Sequence, residues 1–486
     1  MAPSAPSSPM LRHVAMLPFM AKGHAMPLLH LARLLLRRGL ASAVTFLATP
    51  REAPFIRAAV AGVPGADVLE LPFPSTTPAS GSAPQSMEDL SSPSGLLDVV
   101  SAAAALRPAF ADALAALEPR PDLLVHDGFL AWAKGAADAL GVSRLASLGM
   151  GAFTPYVCGA VAAGKPHARV ASPDEPFEVD GLPGLRLTVA DLQPPFDDPA
   201  PAGPHWDFVC ECGAAMASSR GIIGNTFHEL ESLYIDRYNQ ENRPLKMWPV
   251  GPLCLAAASE PGAQAGLDSD LTGWLDTRLA SNRPVLYVAF GSQASLSRAQ
   301  LEEIATGLDR SGLDFVWVVR SKWLREEDNK LEGRFGDRGK VVEGFVNQLG
   351  VLSHKAIKGF FSHCGWNSVI ESISMGVPML AFPMAAEQKM NAKFVVDVLK
   401  VGLRVWPSNG HGDGREEGGV VVSEDIQALA RELIFGEEGK RAAARVAEHA
   451  ASARTAMDAG GSSFQNLELM VREITDFNKL KCMGDL

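Results

Sequence analysis

Two doubly wound α/β domains, set face to face with a cleft between them, are what this sequence predicts, and three observations carry the prediction. At 486 residues the chain is too long for one ordinary hydrophobic core. Short apolar runs alternate with helix-period segments from the start, the order that builds a parallel sheet covered on both faces. The alternation lapses over the small-residue stretch Gly251–Ser269 and then restarts.

Taken in order, Met1–Leu11 is rich in Pro and Ser and is expected to be a disordered tail. His13–Phe19 is the first strand, followed by the loop MAKGH that carries His24 and by a helix opening near Pro27 and closing at Gly39. Ala43–Ala48 reads as a second buried strand and Leu123–His126 as a third, with an Ala-rich helix after it ending near Gly141. Pro72–Gly95 and Pro194–Pro204 are low-complexity stretches expected on the surface. Past the linker come strands at Val285–Phe290, Phe315–Arg320, Gly359–Ser362 and Met379–Phe382, with helices at Ser297–Ser311 and Asn367–Met375. The expected division is residues 12–250 for the first domain, 251–270 for the linker, 271–465 for the second domain, and 466–486 for a helix packing back on the first.

Composition narrows the function classes. A net charge of -11 argues against nucleic acid or an anionic membrane as the main partner, since both need a basic footprint. No apolar run reaches membrane-spanning length, and HVAMLPFM is too short for a signal-peptide core and has no cleavage site behind it. The cysteines, at 158, 210, 212, 254, 364 and 482, form no CxxC pair, so neither a zinc ribbon nor a thioredoxin-type site is indicated. Cys210 and Cys212 read as unlinked thiols in a reducing compartment, and a cytoplasmic location and a monomer are expected.

The segment Phe345–Gln388 carries the most chemistry. At its centre a strand hands over through HCGWNS to a helix, so Trp366, Asn367 and Ser368 occupy a first helical turn whose N–H groups and dipole suit a pyrophosphate. His363 adds a donor, and Glu371 shares the helix face of Asn367 and Ser368, where a carboxylate can accept both hydroxyls of a ribose. Read without context, the same residues only cap a helix and offset its dipole. A metal site at His363, Cys364 and Glu371 finds no second His or Asp cluster to support it. In the first half, His24 follows a strand and Asp127 ends one, the place where α/β chemistry is found. His126 alternates to the opposite side of its strand, and His13 and His30 read as structural.

With those residues in place, Phe345–Gln388 resembles the donor-binding box of the plant secondary-product UDP-glycosyltransferases, family 1 enzymes with two facing Rossmann-like domains, the GT-B fold. HCGWNS, Glu371, Gly376-Val377-Pro378 and Glu387-Gln388 all fall in register, and PFMAKGHAMPLLHLA, HDGFLAWA, GIIGNTFHELE, WPVGPL and VLYVAFGS extend the likeness over roughly residues 12 to 475. The resemblance implies that Phe345 stacks on uracil and Val346 pairs with it through the backbone. It implies that Gln348 and Glu371 hold uridine, that Ser292, His363, Asn367 and Ser368 hold phosphates, and that Trp366, Glu387 and Gln388 contact the sugar. It implies His24 as general base with Asp127 as its partner, UDP-sugar as co-substrate, no cofactor and no metal. The box opens Phe345-Val346-Asn347-Gln348 where the family pattern has Trp-Ala-Pro-Gln, and Glu387 stands where Asp is commoner. Phe19, Met20, Phe129, Trp132, Met150 and Phe153 are candidate liners of an apolar acceptor pocket, with phenolics first because the family favours them.

The implied reaction is inverting transfer of glucose from UDP-glucose to a small apolar acceptor. A terpenoid acceptor, or attachment to carbon, remains an alternative. A non-catalytic UDP-sugar-binding protein is opposed by the retention of both His24 and Asp127. A dinucleotide oxidoreductase lacks its G-x-G-x-x-G turn, because the first strand leads instead into Phe19-Met-Ala-Lys-Gly-His24.

Overall fold

Runs such as Leu123-Leu124-Val125 and Val285-Leu286-Tyr287-Val288 are apolar on both faces, and each becomes a strand buried between helices. The computed structural model describes residues 11–73, 84–90, 95–258, 268–291, 296–319, 331, 333–344, 346–405 and 420–483. Its chain divides into two units. One comprises Met1–Ala152, Ala202–Ala257 and Thr455–Leu486, and the other Phe153–Pro201 and Ala258–Arg454.

Unit one holds β1 (Leu11–Leu17), β2 (Ala41–Ala48), β3 (Ala66–Glu70), β4 (Leu123–Asp127), β5 (Ser143–Leu148), β8 (Ile222–Gly224) and β9 (Met247–Pro249). They form a parallel sheet in the order β3-β2-β1-β4-β5-β8-β9. Unit two holds the antiparallel pair β6 (Phe177–Val179) and β7 (Leu182–Leu187). Its main sheet is parallel and runs β12 (Gly339–Glu343), β11 (Asp314–Val319), β10 (Val285–Ala289), β13 (Ile357–Ser362), β14 (Met379–Ala381), β15 (Gly402–Arg404). In each sheet the strand order reverses once beside the central strand, between β1 and β4 and between β10 and β13, and such reversals are where open α/β sheets bind ligands.

Several expected boundaries move. Leu11 is the first residue of β1 and is buried, so it is not part of a tail; residues 1–10 lie outside the described residues. Within the expected linker, Leu253–Ala258 is helical, with Leu253 and Ala256 in the core of unit one, while residues 259–267 lie outside the described residues. The first helix opens at Lys22, so His24 sits in its first turn and Pro27 lies inside it. The return to unit one begins at Thr455, and the helix Ser462–Met483 buries Leu467, Met470, Val471 and Ile474 there. Among the described residues no single helix is long and apolar enough to cross a membrane.

The largest correction concerns residues 153–201, expected in the first domain but packed into unit two. Phe153 stacks on Phe394 with ring centroids 4.8 Å apart, and the Thr154 hydroxyl bonds Asn391 at 3.0 Å. Asp191 is buried, accepting from Arg404 Nη1 at 3.0 Å and the Thr188 backbone N–H at 3.0 Å, with Lys393 Nζ at 3.4 Å. Burial pushes the Asp191 pKa up, but Lys393, the Thr188 N–H and Arg404 together hold it below its ordinary value. Asp191→Ala should therefore cost about 1–3 kcal/mol of stability near neutrality, because it removes the buried carboxylate that accepts from half-buried Arg404 and faces half-buried Lys393. A depressed carboxylate stabilises above its unfolded pKa and ceases to do so as pH falls through the folded value. Denaturant titrations should show the gap between wild type and variant narrowing as pH is taken below 3.8, the unfolded value.

Candidate active site

In unit one the helix that follows β1 and the end of β4 meet at the reversal point of the sheet, and each delivers one polar side chain there. His24 Nδ1 lies 2.7 Å from Asp127 Oδ2, and the other Asp127 oxygen accepts the Phe129 N–H at 2.9 Å. An ionised carboxylate only accepts, so Nδ1 carries the proton of this bond and Nε2 becomes the basic nitrogen. Phe19 and Phe129 flank the imidazole, with centroids 5.3 Å away in both cases. Gly149 closes a further side; a Cβ there would come 3.3 Å from two ring atoms of His24, tight enough that the ring would have to shift by a few tenths of an ångström. His24 keeps 24% of its side-chain surface while Asp127 keeps 4%. An accessible base oriented by a buried carboxylate can take a proton from a hydroxyl.

In unit two the turn after β13 runs through His363, Cys364 and Gly365 into the helix Trp366–Met375, whose N-cap, Gly365, has no side chain to offer. His363 fits a slot between Gly291 and Gly365, where a Cβ would come within 2.7 and 2.6 Å of Nε2. Burial lowers its pKa to about 4 against a favourable bond with the Ala289 backbone, so near neutrality His363 offers a hydrogen bond and no charge. Across the same helix turn the Gln348 amide donates to Ser368 Oγ at 3.0 Å and to Glu371 Oε2 at 2.8 Å. Burial raises the Glu371 pKa to about 7 in spite of the Gln348 bond.

The other predicted residues divide between those near these two clusters and those engaged elsewhere. Trp366 is buried beside Phe394, so its indole serves packing. Gln388 turns its Oε1 back to accept the N–H groups of Met384 and Ala385 at 3.0 and 2.9 Å, which leaves its NH2 as the end free of its own loop. Of the candidate acceptor liners, Phe19 and Phe129 flank His24; Met20 is buried and Met150 half-buried. Trp132 packs edge-on against Phe110, and Phe153 belongs to unit two, its ring covered by Phe394. Val346 and Glu387 are half-buried, Ser292 and Phe345 lie outside the described residues, and Asn367 lies in the first turn after Gly365. Sequence reasoning missed Tyr287, whose hydroxyl approaches Gln348 Oε1 at 3.5 Å, and Asn391 and Gly149; only Tyr287 carries a signal, as the polar-tipped residue of the strand VLYVA.

Residues 270–403 match the family described as UDP-glucoronosyl and UDP-glucosyl transferase. The chain is 36% identical over 471 residues to UDP-glycosyltransferase 90A1 of Arabidopsis thaliana, covering 95% of this chain and 96% of that one. It is 33% identical over 487 residues to UDP-glucose flavonoid 3-O-glucosyltransferase 7 of Fragaria ananassa, with 96% of each covered. Among solved structures it resembles Glycyrrhiza uralensis UGT73P12 complexed with glycyrrhetinic acid 3-O-monoglucuronide, with a TM-score of 0.84, 29% identity and 98% of each chain covered. It also resembles Phytolacca americana UGT2 complexed with UDP-2fluoro-glucose and pterostilbene, with a TM-score of 0.77, 28% identity and 96% and 100% coverage.

The raised Glu371 pKa makes a prediction of its own. Between about 4.5 and 7 the folded protein holds a proton that the unfolded chain releases, so this residue lowers stability as pH rises through that window. Denaturant midpoints at pH 5 and pH 8 should differ less in Glu371→Gln than in wild type. An equal pH dependence in both proteins would show that Glu371 titrates normally.

Proposed function

The chain belongs to the plant UDP-glycosyltransferase family, and from that premise we propose an inverting, metal-independent enzyme moving glucose from UDP-glucose to a hydroxyl of a small apolar acceptor, such as a flavonoid or other phenolic. As a member of the family it is a glycosyltransferase with the GT-B fold. The observation that carries the finer reading is the 2.7 Å bond from His24 to Asp127 beside two aromatic rings. The flavonoid enzyme from Fragaria ananassa and the pterostilbene bound to the Phytolacca americana structure support a phenolic acceptor. Free thiols at all six cysteines fit a reducing, cytosolic setting, and a monomer of 51.6 kDa completes the proposal.

In the proposed reaction His24 Nε2 takes the acceptor's hydroxyl proton as that oxygen attacks the anomeric carbon. The bond from this carbon to the UDP oxygen breaks in the same displacement, so an α-linked donor gives a β-glycoside. Asp127 holds the imidazole in the productive tautomer and steadies the imidazolium that forms. Charge developing on the departing diphosphate meets the N–H groups at the head of the helix Trp366–Met375, the hydroxyl of Ser368, the side chain of Asn367 and the neutral imidazole of His363. Ser292 would join them, and Phe345 and Val346 would hold the uracil. Glu371, oriented by Gln348, would accept from the ribose. Glu387 and the free NH2 of Gln388 would read the glucose hydroxyls, a donor beside an acceptor on one edge of the ring.

His24→Ala should reduce turnover of a neutral hydroxyl acceptor by about 10²–10⁴ while UDP binding persists, and Asp127→Ala should cost less. Steady-state rates with a non-acidic phenol, paired with calorimetric titration of UDP, measure both; unchanged turnover in His24→Ala would end the base assignment. With equimolar UDP-glucose, UDP-galactose, UDP-xylose and UDP-glucuronate in the presence of EDTA, the glucoside should still form and dominate. Chromatography against standards followed by mass spectrometry distinguishes the isobaric hexosides. A different dominant product refutes the donor reading, and loss of activity restored by Mg²⁺ refutes the metal-independent leaving group.

A further inference from the structure

Cys364, in the turn between β13 and the helix Trp366–Met375, adopts a left-handed backbone with φ of 64°. For a residue with a Cβ that conformation is disfavoured by about five- to thirtyfold in population, so the surroundings must hold it. Ser362 helps from one side, its Oγ accepting the Cys364 N–H at 3.2 Å. From the other side Asn391 Nδ2 donates to the Cys364 carbonyl at 3.0 Å. Asn391 is 1% exposed, and its Oδ1 receives the hydroxyl of buried Thr154 at 3.0 Å. A carbonyl only accepts, so the amide has one orientation here, with Nδ2 toward Cys364. Neighbouring Phe153, stacked on Phe394, fixes the segment that supplies Thr154.

We propose that Asn391 is a positioning residue of the donor site, which pins the Cys364 carbonyl and thereby aims the Gly365 N–H and the helix start that follows it. The peptide between Cys364 and Gly365 is planar and trans, so anchoring its C=O fixes the direction of its N–H. A polypeptide free to rotate there would spread over several orientations, and only the fraction in the held one would bind a diphosphate well. Thr154 extends the same anchor to the segment 153–164, so a stretch of unit two far away in the sequence contributes a strut to the diphosphate turn.

The inference rests on the donor reading given above, and the test separates the two. UDP affinity is measured by calorimetry, and UDP-glucose KM and kcat by steady-state kinetics, for wild type, Asn391→Leu, Cys364→Gly and the double variant. Asn391→Leu should weaken UDP binding by about five- to thirtyfold and raise KM, with kcat at saturating donor kept within about threefold. Glycine adopts the left-handed backbone without penalty, so in the Cys364→Gly background the same Asn391 substitution should cost less than about threefold. An equal loss in both backgrounds, or no loss in either, overturns the inference. If wild type itself fails to bind UDP, the donor reading falls instead. Thermal melts accompany each variant; should Asn391→Leu not fold, Asn391→Asp keeps the acceptor for Thr154, removes the N–H donor, and is carried through the same comparison.

Discussion

A right-handed crossover carries the chain from one parallel strand to the next on a fixed side, so strands added in one direction place their connecting helices on the same face of the sheet. When the next strand is added on the opposite side of the first, two successive loops run apart and leave a notch at the carboxyl ends. The chemistry proposed for this chain depends on that notch, once in each sheet. In unit one it receives His24 from the first turn of the helix after β1 and Asp127 from the end of β4. In unit two it receives Gly291 after β10 and the His363–Gly365 turn after β13. Neither pair is close in sequence, and only the reversal of strand order brings each together.

Solvation then sorts the histidines. His126 is fully buried, bonds the carbonyl of Asp127 through Nδ1, and has its pKa lowered to about 4 by burial. His30 is likewise buried and lowered to about 4. His13 is committed at both nitrogens, to the Pro119 carbonyl and the Thr45 hydroxyl. His24 differs from these three by having one nitrogen held by a buried carboxylate while the ring keeps contact with solvent. Strand alternation alone separates His126 from Asp127, since adjacent residues of β4 face opposite sides of the sheet.

That separation was legible in the sequence, as were the two parallel sheets, because apolar period and strand-end position are local properties. The HCGWNS turn was legible for the same reason: a strand, a glycine and a helix start are contiguous there. What the sequence hid depends on distant packing. Nothing local says that Phe153 meets Phe394 or that Asp191 meets Arg404, so residues 153–201 looked like part of the first domain. Leu253–Ala258 looked like linker because its composition is small and its helix is one turn and a half, stabilised by burial of Leu253 and Ala256 more than by propensity. Pro27 suggested a later helix start, yet the helix already exists at Lys22 and absorbs the proline in its second turn. Gln388 shows the finest limit: the residue type invites a two-ended sugar contact, and the loop 384–385 has already taken one end.

The helix Ser462–Met483 gives the molecule a timetable. It closes the core of unit one with Leu467, Met470, Val471 and Ile474, and its Ser463 and Asn466 side chains bond the backbone oxygens of Gly251 and Pro249. A ribosome makes the seven strands of unit one first, with residues 153–201 of unit two emerging between β5 and β8, then the rest of unit two, and only afterwards this helix. The unit begun earliest is therefore sealed last, and for most of translation its unsealed apolar face must be kept from other chains. Assembly of the second sheet is not held back in this way, since its strands β10 to β15 emerge as one continuous stretch.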